Sequence, residues 1–197
     1  MKTRSEIATE KFLSGYNCAQ SVLWSFSKDV RLPPETTLKI ACGFGAGIAR
    51  RQEVCGAVTG GIMVLGLRYG RGERQDRTAT EETYAMTQEL LRRFEAKHGT
   101  CNCRQLLEGC DLATEEGRQP FKERDLLNRT CKACVQTVVT ILEDMTKGTP
   151  NPKATPPQYR AETSRVKAGR GNMELLIRVR IVTPVDLVRS TARKVKT

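Results

Sequence analysis

The sequence predicts an all-α domain followed by a basic, largely irregular C-terminal tail. Three observations lead there. Apolar residues recur at helical spacing in successive segments between Ile7 and Leu142. Asn, Thr and Gly stand where such segments would begin or end. Beyond Gly148 the composition changes, as Pro150, Pro152, Pro156 and Pro157 open a linker-like stretch. We therefore divide the chain into a cysteine-rich helical domain over 1–148 and a proline-rich linker with a basic tail over 149–197.

Ile7, Phe12 and Leu13 give a first amphipathic helix that stops at Ser14-Gly15. A second follows, with Asn17 as its cap, Gln20 completing a capping box, and Ala19, Val22, Leu23 and Phe26 inward. One continuous helix from Ser5 to Ser27 is the rival reading, since glycine inside a helix costs only about 1 kcal/mol. Pro33-Pro34 closes that unit, and Glu35 to Ala41 forms a short helix ended by Gly43-Phe-Gly45-Ala-Gly47. The glycine cluster is not G-x-G-x-x-G and no Lys-Ser/Thr follows, so it reads as backbone that turns tightly or approaches something closely.

The next helix is headed by Cys55. Gly56 and Gly60 lie on one face and admit a close neighbour, while Ile62, Met63 and Leu65 fill the core. After an Arg-rich turn, Thr78 to Lys97 is a helix with Ala79, Met86, Leu90 and Phe94 inward. His98 ends it and reads as an exposed cation. A short helix is expected around Cys103, a polar loop over 114–129, and a last helix from Cys131 to Thr146 capped by Thr130, with Val135, Val138, Val139 and Leu142 inward. In the tail, 173–182 suits a strand and 184–196 a basic helix.

Charge and cysteine usage narrow the function. Of the net +11, the tail from Pro150 to Thr197 supplies +8, from eleven Lys and Arg against three Asp and Glu. The basic character therefore belongs mostly to the tail. Eight cysteines would suit a secreted disulfide scaffold, but the N-terminus lacks the apolar core of a signal peptide. Reduced thiols in a cytoplasmic protein are the better premise, which favours metal ligation or redox chemistry. The longest apolar run, Val54 to Leu67, is shorter than the roughly 20 residues a bilayer needs, so no membrane span is expected.

Cys18, Cys55 and Cys131 can each be placed in the first turn of a helix. Unpaired N–H groups and the helix dipole favour a thiolate there, below the ~8.5 of a free thiol. Converging, such ends would stabilise either low-pKa redox thiols or an anionic iron–sulfur cluster, with Cys103 as fourth thiolate. Cys42 and Cys110 read as ordinary small core residues. Cys131-Lys-Ala-Cys134 is either a dithiol pair or one functional thiol beside one packing residue, and Cys101-Asn-Cys103 is similarly open. Zinc fits less well because paired C-x-x-C knuckles are missing. Haem lacks its C-x-x-C-H, and Ser/His/Asp catalysis lacks a nucleophile elbow beside the lone histidine.

Gly15-Tyr-Asn-Cys18-Ala-Gln-Ser-Val, Cys55-Gly-Ala-Val-Thr-Gly60-Gly, Cys103-Arg-Gln-Leu-Leu and the final helix headed by Cys131 together resemble the C-GCAxxG-C-C family, found mainly in anaerobic bacteria and archaea and assigned a redox or metal-binding role. The likeness runs roughly from Ser5 to Met145. It implies an α-helical domain whose family cysteines are Cys18, Cys55, Cys103 and Cys131. A domain in split-Soret cytochromes is similar, which adds weight to an iron–sulfur centre. The second motif departs from the family label, reading Cys-Gly-Ala rather than Gly-Cys-Ala, and Cys42, Cys101, Cys110 and Cys134 are additional.

The expectation is a redox centre in which Cys18, Cys55, Cys103 and Cys131 bind an iron–sulfur cluster for electron transfer with a redox protein partner. One alternative is a thiol–disulfide oxidoreductase, with Cys131 and Cys134 as the first pair. Another is a nucleic-acid or acidic-partner arm in the tail, where Tyr159 alone offers base stacking. The glycine-lined face of the Cys55 helix would also serve a homodimer.

Overall fold

The computed structural model describes residues 2–147, which form eight α-helices and, among these described residues, no strand. The domain boundary after 148, the tail's strand and basic helix and its partner-binding role lie outside the described residues. No described helix is long and apolar enough to cross a membrane.

Helix α1 (Arg4–Leu13) starts in a capping box between Thr3 and Glu6, and α2 (Cys18–Ser25) in the one anticipated between Asn17 and Gln20. Gly15, at φ 97°, breaks the chain between them, so the continuous helix does not form. Ala8 and Phe12 are the buried residues of α1, whereas Leu13 is exposed. Helix α3 (Pro34–Ala41) begins with proline in its first turn, where the missing N–H costs nothing.

Helix α4 (Gly56–Tyr69) is the centre of the fold. Its buried residues, Gly56, Ala57, Val58, Gly60, Gly61, Val64, Leu65 and Tyr69, cover more than half of its circumference, while Gly66 and Leu67 near its C-terminal end are exposed. A buried face that wide needs more than one neighbour to cover it. It packs against α2, against α5 (Thr78–His98) and against the last helix, α8 (Lys132–Thr146). The glycines set how close those neighbours come. A Cβ at Gly60 would lie 2.8 Å from the Ala19 carbonyl oxygen, and one at Gly61 would lie 2.8 Å from a Val138 methyl.

Val135, Val138, Val139 and Leu142 of α8 and Leu90 and Phe94 of α5 complete the main core. Arg4 ties α1 to its neighbours: it donates to Asp29 and the Ser25 carbonyl, pairs with Glu143 of α8, and lies 4.3 Å over the Phe26 ring.

Two connections differ from the sequence-based expectation. Residues 114–129 are not a plain loop. Thr114 caps α7 (Glu115–Glu123), which follows the short α6 (Cys103–Leu106). Its faces are so polar that no helical residue there is buried, and apolar periodicity could not reveal it. Nor does Thr130 cap a fresh helix. Leu127–Cys131 forms a π-turn that runs straight into α8, with Cys131 in right-handed helical conformation. A second, smaller apolar cluster of Cys103, Leu107, Cys110, Leu112 and Leu126 sits beside the main core, and Cys131 packs against both.

Two glycines of α4 test this packing in opposite directions. Gly60→Ala should destabilise the protein by about 1–3 kcal/mol, because the new methyl meets α2 backbone rather than a yielding side chain. At exposed Gly66, where an added Cβ meets nothing within 4 Å, alanine should stabilise by about 0.5–1 kcal/mol through helix propensity. Urea midpoints at unchanged m-value would show the two shifts, and a Gly60→Ala protein as stable as the parent would contradict the packing.

Candidate functional site

Each of the four anticipated cysteines is placed by a different local device. Cys18 is the first residue of α2, behind the Asn17 cap, whose side-chain amide also donates to the Cys42 carbonyl at 2.8 Å. Cys55 is the N-cap residue of α4: its carbonyl accepts from Thr59 N–H, and its own N–H donates to the Cys101 carbonyl at 2.8 Å. Cys103 opens α6, where Asn102 accepts from Gln105 N–H, and its N–H donates to the Glu53 carbonyl at 2.7 Å. Cys131 lies at the end of the π-turn, an irregularity frequent at functional sites.

The segment between Gly45 and Cys55 explains the glycine cluster. After a 3₁₀ turn over Cys42–Phe44, the backbone turns left-handed at Ala46, Gly47, Ile48, Ala49 and Arg50, and again at Gln52. Left-handed conformation costs an L-residue about 1–2 kcal/mol, so the surroundings must hold it. Gln52 does much of this. Its buried side-chain amide donates to the Cys110 carbonyl at 2.6 Å and accepts from Leu112 N–H at 2.9 Å, while its carbonyl accepts from Arg104 N–H. These bonds and an antiparallel bridge between Val54 and Asn102 lock 52–55 against 101–104, which fixes Cys55 relative to Cys103. Gly47 has no room for a side chain: a Cβ would lie 2.7 Å from the Cys103 Cβ.

The result is a cavity of about 250 Å³ at the seam of the two apolar clusters. Cys18, Cys55, Cys103 and Cys131 all line it, together with Cys134, Phe12, Tyr16, Leu106, Leu107, Leu112, Phe121 and Leu127. All eight cysteines are free thiols.

The sulfurs are electrostatically unequal. Cys55 makes no regular side-chain cap bond, yet it is held below the usual thiol range. The Cys134 thiol turned towards it is the main cause, aided by the Ala57 and Val58 N–H groups at the head of α4 and opposed by burial. The complementary thiols are pushed up: Cys134 by donating to Cys55 and by burial, Cys131 by donating to Cys18 and by burial. Burial raises Cys103 to about 12, with the neighbouring Cys55 and Cys18 adding to it.

The geometry thus brings the four sequence-predicted residues to one cavity and corrects the reason for one of them. Cys131 is inside a helical run, not at a free helix N-terminus, so no dipole favours its thiolate. Cys101, two residues from Cys103, instead faces the main core, its sulfur 4.0 Å from the Leu91 carbonyl, and burial with nearby Glu95 raises it to about 12. Cys110 is buried as expected, but Cys42 is exposed.

His98 is not an exposed cation. It is half-buried, stacked on Phe94 and 2.9 Å from the Thr137 hydroxyl, and burial lowers its pKa. One functional neighbour, Gln52, escaped the sequence reading, and Cys134 was not singled out by it as a ligand. Gln52 carries no motif, and Cys134 was one of two open readings of a C-x-x-C spacing.

Among the described residues no three His, Cys, Asp or Glu side chains are grouped as a ligand set for a single metal ion. The cysteines are spread round the cavity wall.

Comparison with known proteins agrees with the residue-level reading. Residues 16–145 match the family model described as "Putative redox-active protein (C_GCAxxG_C_C)". No curated protein and no solved structure gives a significant match. The match spans more than half of the chain, which belongs to this family of redox-active, cysteine-rich proteins.

The unequal thiols predict an ordered titration in the reduced, metal-free protein. Cys55, being lowered, should ionise well before Cys103, which should ionise only near pH 12. Thiolate absorbance against pH measures this. A Cys55→Ser protein that titrates like the parent would refute the assignment.

Proposed function

With family membership as the premise, we propose that the chain holds an iron–sulfur cluster on Cys18, Cys55, Cys103 and Cys131 and exchanges electrons with a redox protein partner. The observation that carries this reading is the arrival of four cysteines from four separate segments on one apolar-walled cavity. When bound, such a cluster takes up and releases electrons one at a time.

The chain's own residues would supply ligation, enclosure and electrostatics. Cys55 is already biased towards the thiolate that ligation needs, with the Ala57 and Val58 N–H groups directed at its sulfur. Cys131, held neutral by donating to Cys18 and by burial, and Cys103, held neutral by burial, would have to release protons when they bind iron, so loading should be coupled to pH. Phe12, Leu106, Leu107, Leu112 and Phe121 wall the cavity with apolar surface and limit water around the sulfurs. Low polarity and few hydrogen bonds to sulfur are among the terms that set a cluster's potential.

Protein purified or reconstituted without oxygen should be coloured, contain iron and acid-labile sulfide, and give an EPR signal in one of its two oxidation states. Serine at each of positions 18, 55, 103 and 131 should lower iron content and change the spectrum. Colourless, iron-free protein after anaerobic reconstitution would end this proposal.

A further inference from the structure

Cys134 is the one cavity cysteine outside the four-thiol set, and its position gives it a distinct chemistry. It lies on α8 one turn before Val138, the residue whose methyl would meet a Cβ added at Gly61 of α4. Without a side chain at Gly61, α4 and α8 approach closely at this crossing. Cys55, at the head of α4, and Cys134 thereby share the cavity, with the Cys134 thiol turned to the Cys55 sulfur. Both are buried against bulk water, so a reagent reaches them only from the cavity side, and neither is in a disulfide.

We infer that Cys55 and Cys134 form a nucleophilic and resolving pair that reacts with small-molecule disulfides in the cluster-free protein and closes to an internal disulfide. The Cys55 sulfur, as thiolate, attacks one sulfur of R–S–S–R, making Cys55–S–S–R and releasing R–S⁻, which takes a proton from solvent. Cys134 then gives its proton to solvent and attacks the Cys55 sulfur. The Cys55–Cys134 bond forms, the bond to R breaks, and the second R–S⁻ is protonated. The two protein thiols lose two electrons and two protons, and the small disulfide gains them as two R–SH. Resting on the cluster reading, one consequence follows: the disulfide removes Cys55 from the ligand set, so the oxidised chain cannot load iron until it is reduced.

The test uses the full metal-free chain, reduced and then exposed to excess glutathione disulfide, followed by trypsin and mass spectrometry without reductant. Cleavage after Lys132 separates Cys131 from Cys134, and cleavage after Arg51 and Arg68 isolates Cys55. The expected map joins the 52–68 peptide to the 133–147 peptide. Cys134→Ser and Cys134→Ala should both stop at a glutathione adduct on the 52–68 peptide. A map joining Cys134 to Cys131 or Cys18, or no link at all, overturns the inference from the parent protein alone, whether or not the variants fold. Iron uptake separates this result from the cluster reading. Uptake by the reduced chain that is lost on oxidation and restored by dithiothreitol supports both, whereas the expected link with no uptake by the reduced chain supports the disulfide and counts against the cluster.

Discussion

Close helix crossing at α4 is the constraint on which the rest of the structure depends. α4 is buried over more than half of its circumference, and where α2 and α8 cross it closely it has no side chain. Gly60 admits the backbone of α2 at Ala19, and Gly61 admits α8 at Val138. Cysteine is a short residue. Thiols from three helices can line one cavity of about 250 Å³ only if the backbones carrying them approach closely, and larger residues at these crossings would hold Cys18 and Cys134 away from Cys55. Gly56 extends the same logic to the site itself, since a Cβ there would lie 2.9 Å from the Phe44 carbonyl oxygen and 3.3 Å from the Cys18 Cβ.

The fourth segment arrives by a different route. No long helix carries Cys103; it is held by backbone pairing between 52–55 and 101–104 and by the buried amide of Gln52. The left-handed turn before that pairing is unfavourable for each residue in it. A free loop would relax. The turn persists because its far end is fixed by Gln52 and its inner side by Gly47 against Cys103. Backbone strain here thus accompanies the positioning of two sulfurs, which is the usual company such strain keeps.

Much of this was legible in the residues, and the failures have physical causes. Helices with one apolar stripe could be read directly, and Ala19, Val22, Leu23, Phe26, Val135, Val138, Val139 and Leu142 are all buried as their spacing predicts. The Asn17–Gln20 box was visible because capping is a local interaction between residues three apart. α7 was invisible because Phe121 is its only large apolar residue, which is too little for a periodic stripe. The π-turn before α8 was misread as a cap because Thr130 is chemically suited to capping, and local chemistry cannot report that the preceding turn continues the helix. Gln52 acts through partners 58 and 60 residues away, which no local pattern encodes. Four cysteines could be named from helix starts and the family resemblance, and all four line one cavity, but that Cys134 lines it too needed the packing of α8.

The same three-residue spacing gives those two cysteines different company. On a helix, residues three apart share a face but sit one turn apart along the axis. Cys131, at the π-turn, meets Cys18 and touches both apolar clusters; Cys134, one turn deeper, meets Cys55 and belongs to the main core alone. A single helix face therefore offers one thiol to each of the two cysteines at the heads of α2 and α4. The C-x-x-C spacing works across the cavity rather than within itself: its thiols contact partners on other helices before they contact each other. A site so arranged has one thiol beyond the four proposed as ligands, and it stands beside Cys55, whose thiolate the surroundings favour. On the two readings proposed above, ligation and disulfide formation would compete for Cys55, with the metal and the oxidant that reach the cavity deciding between them.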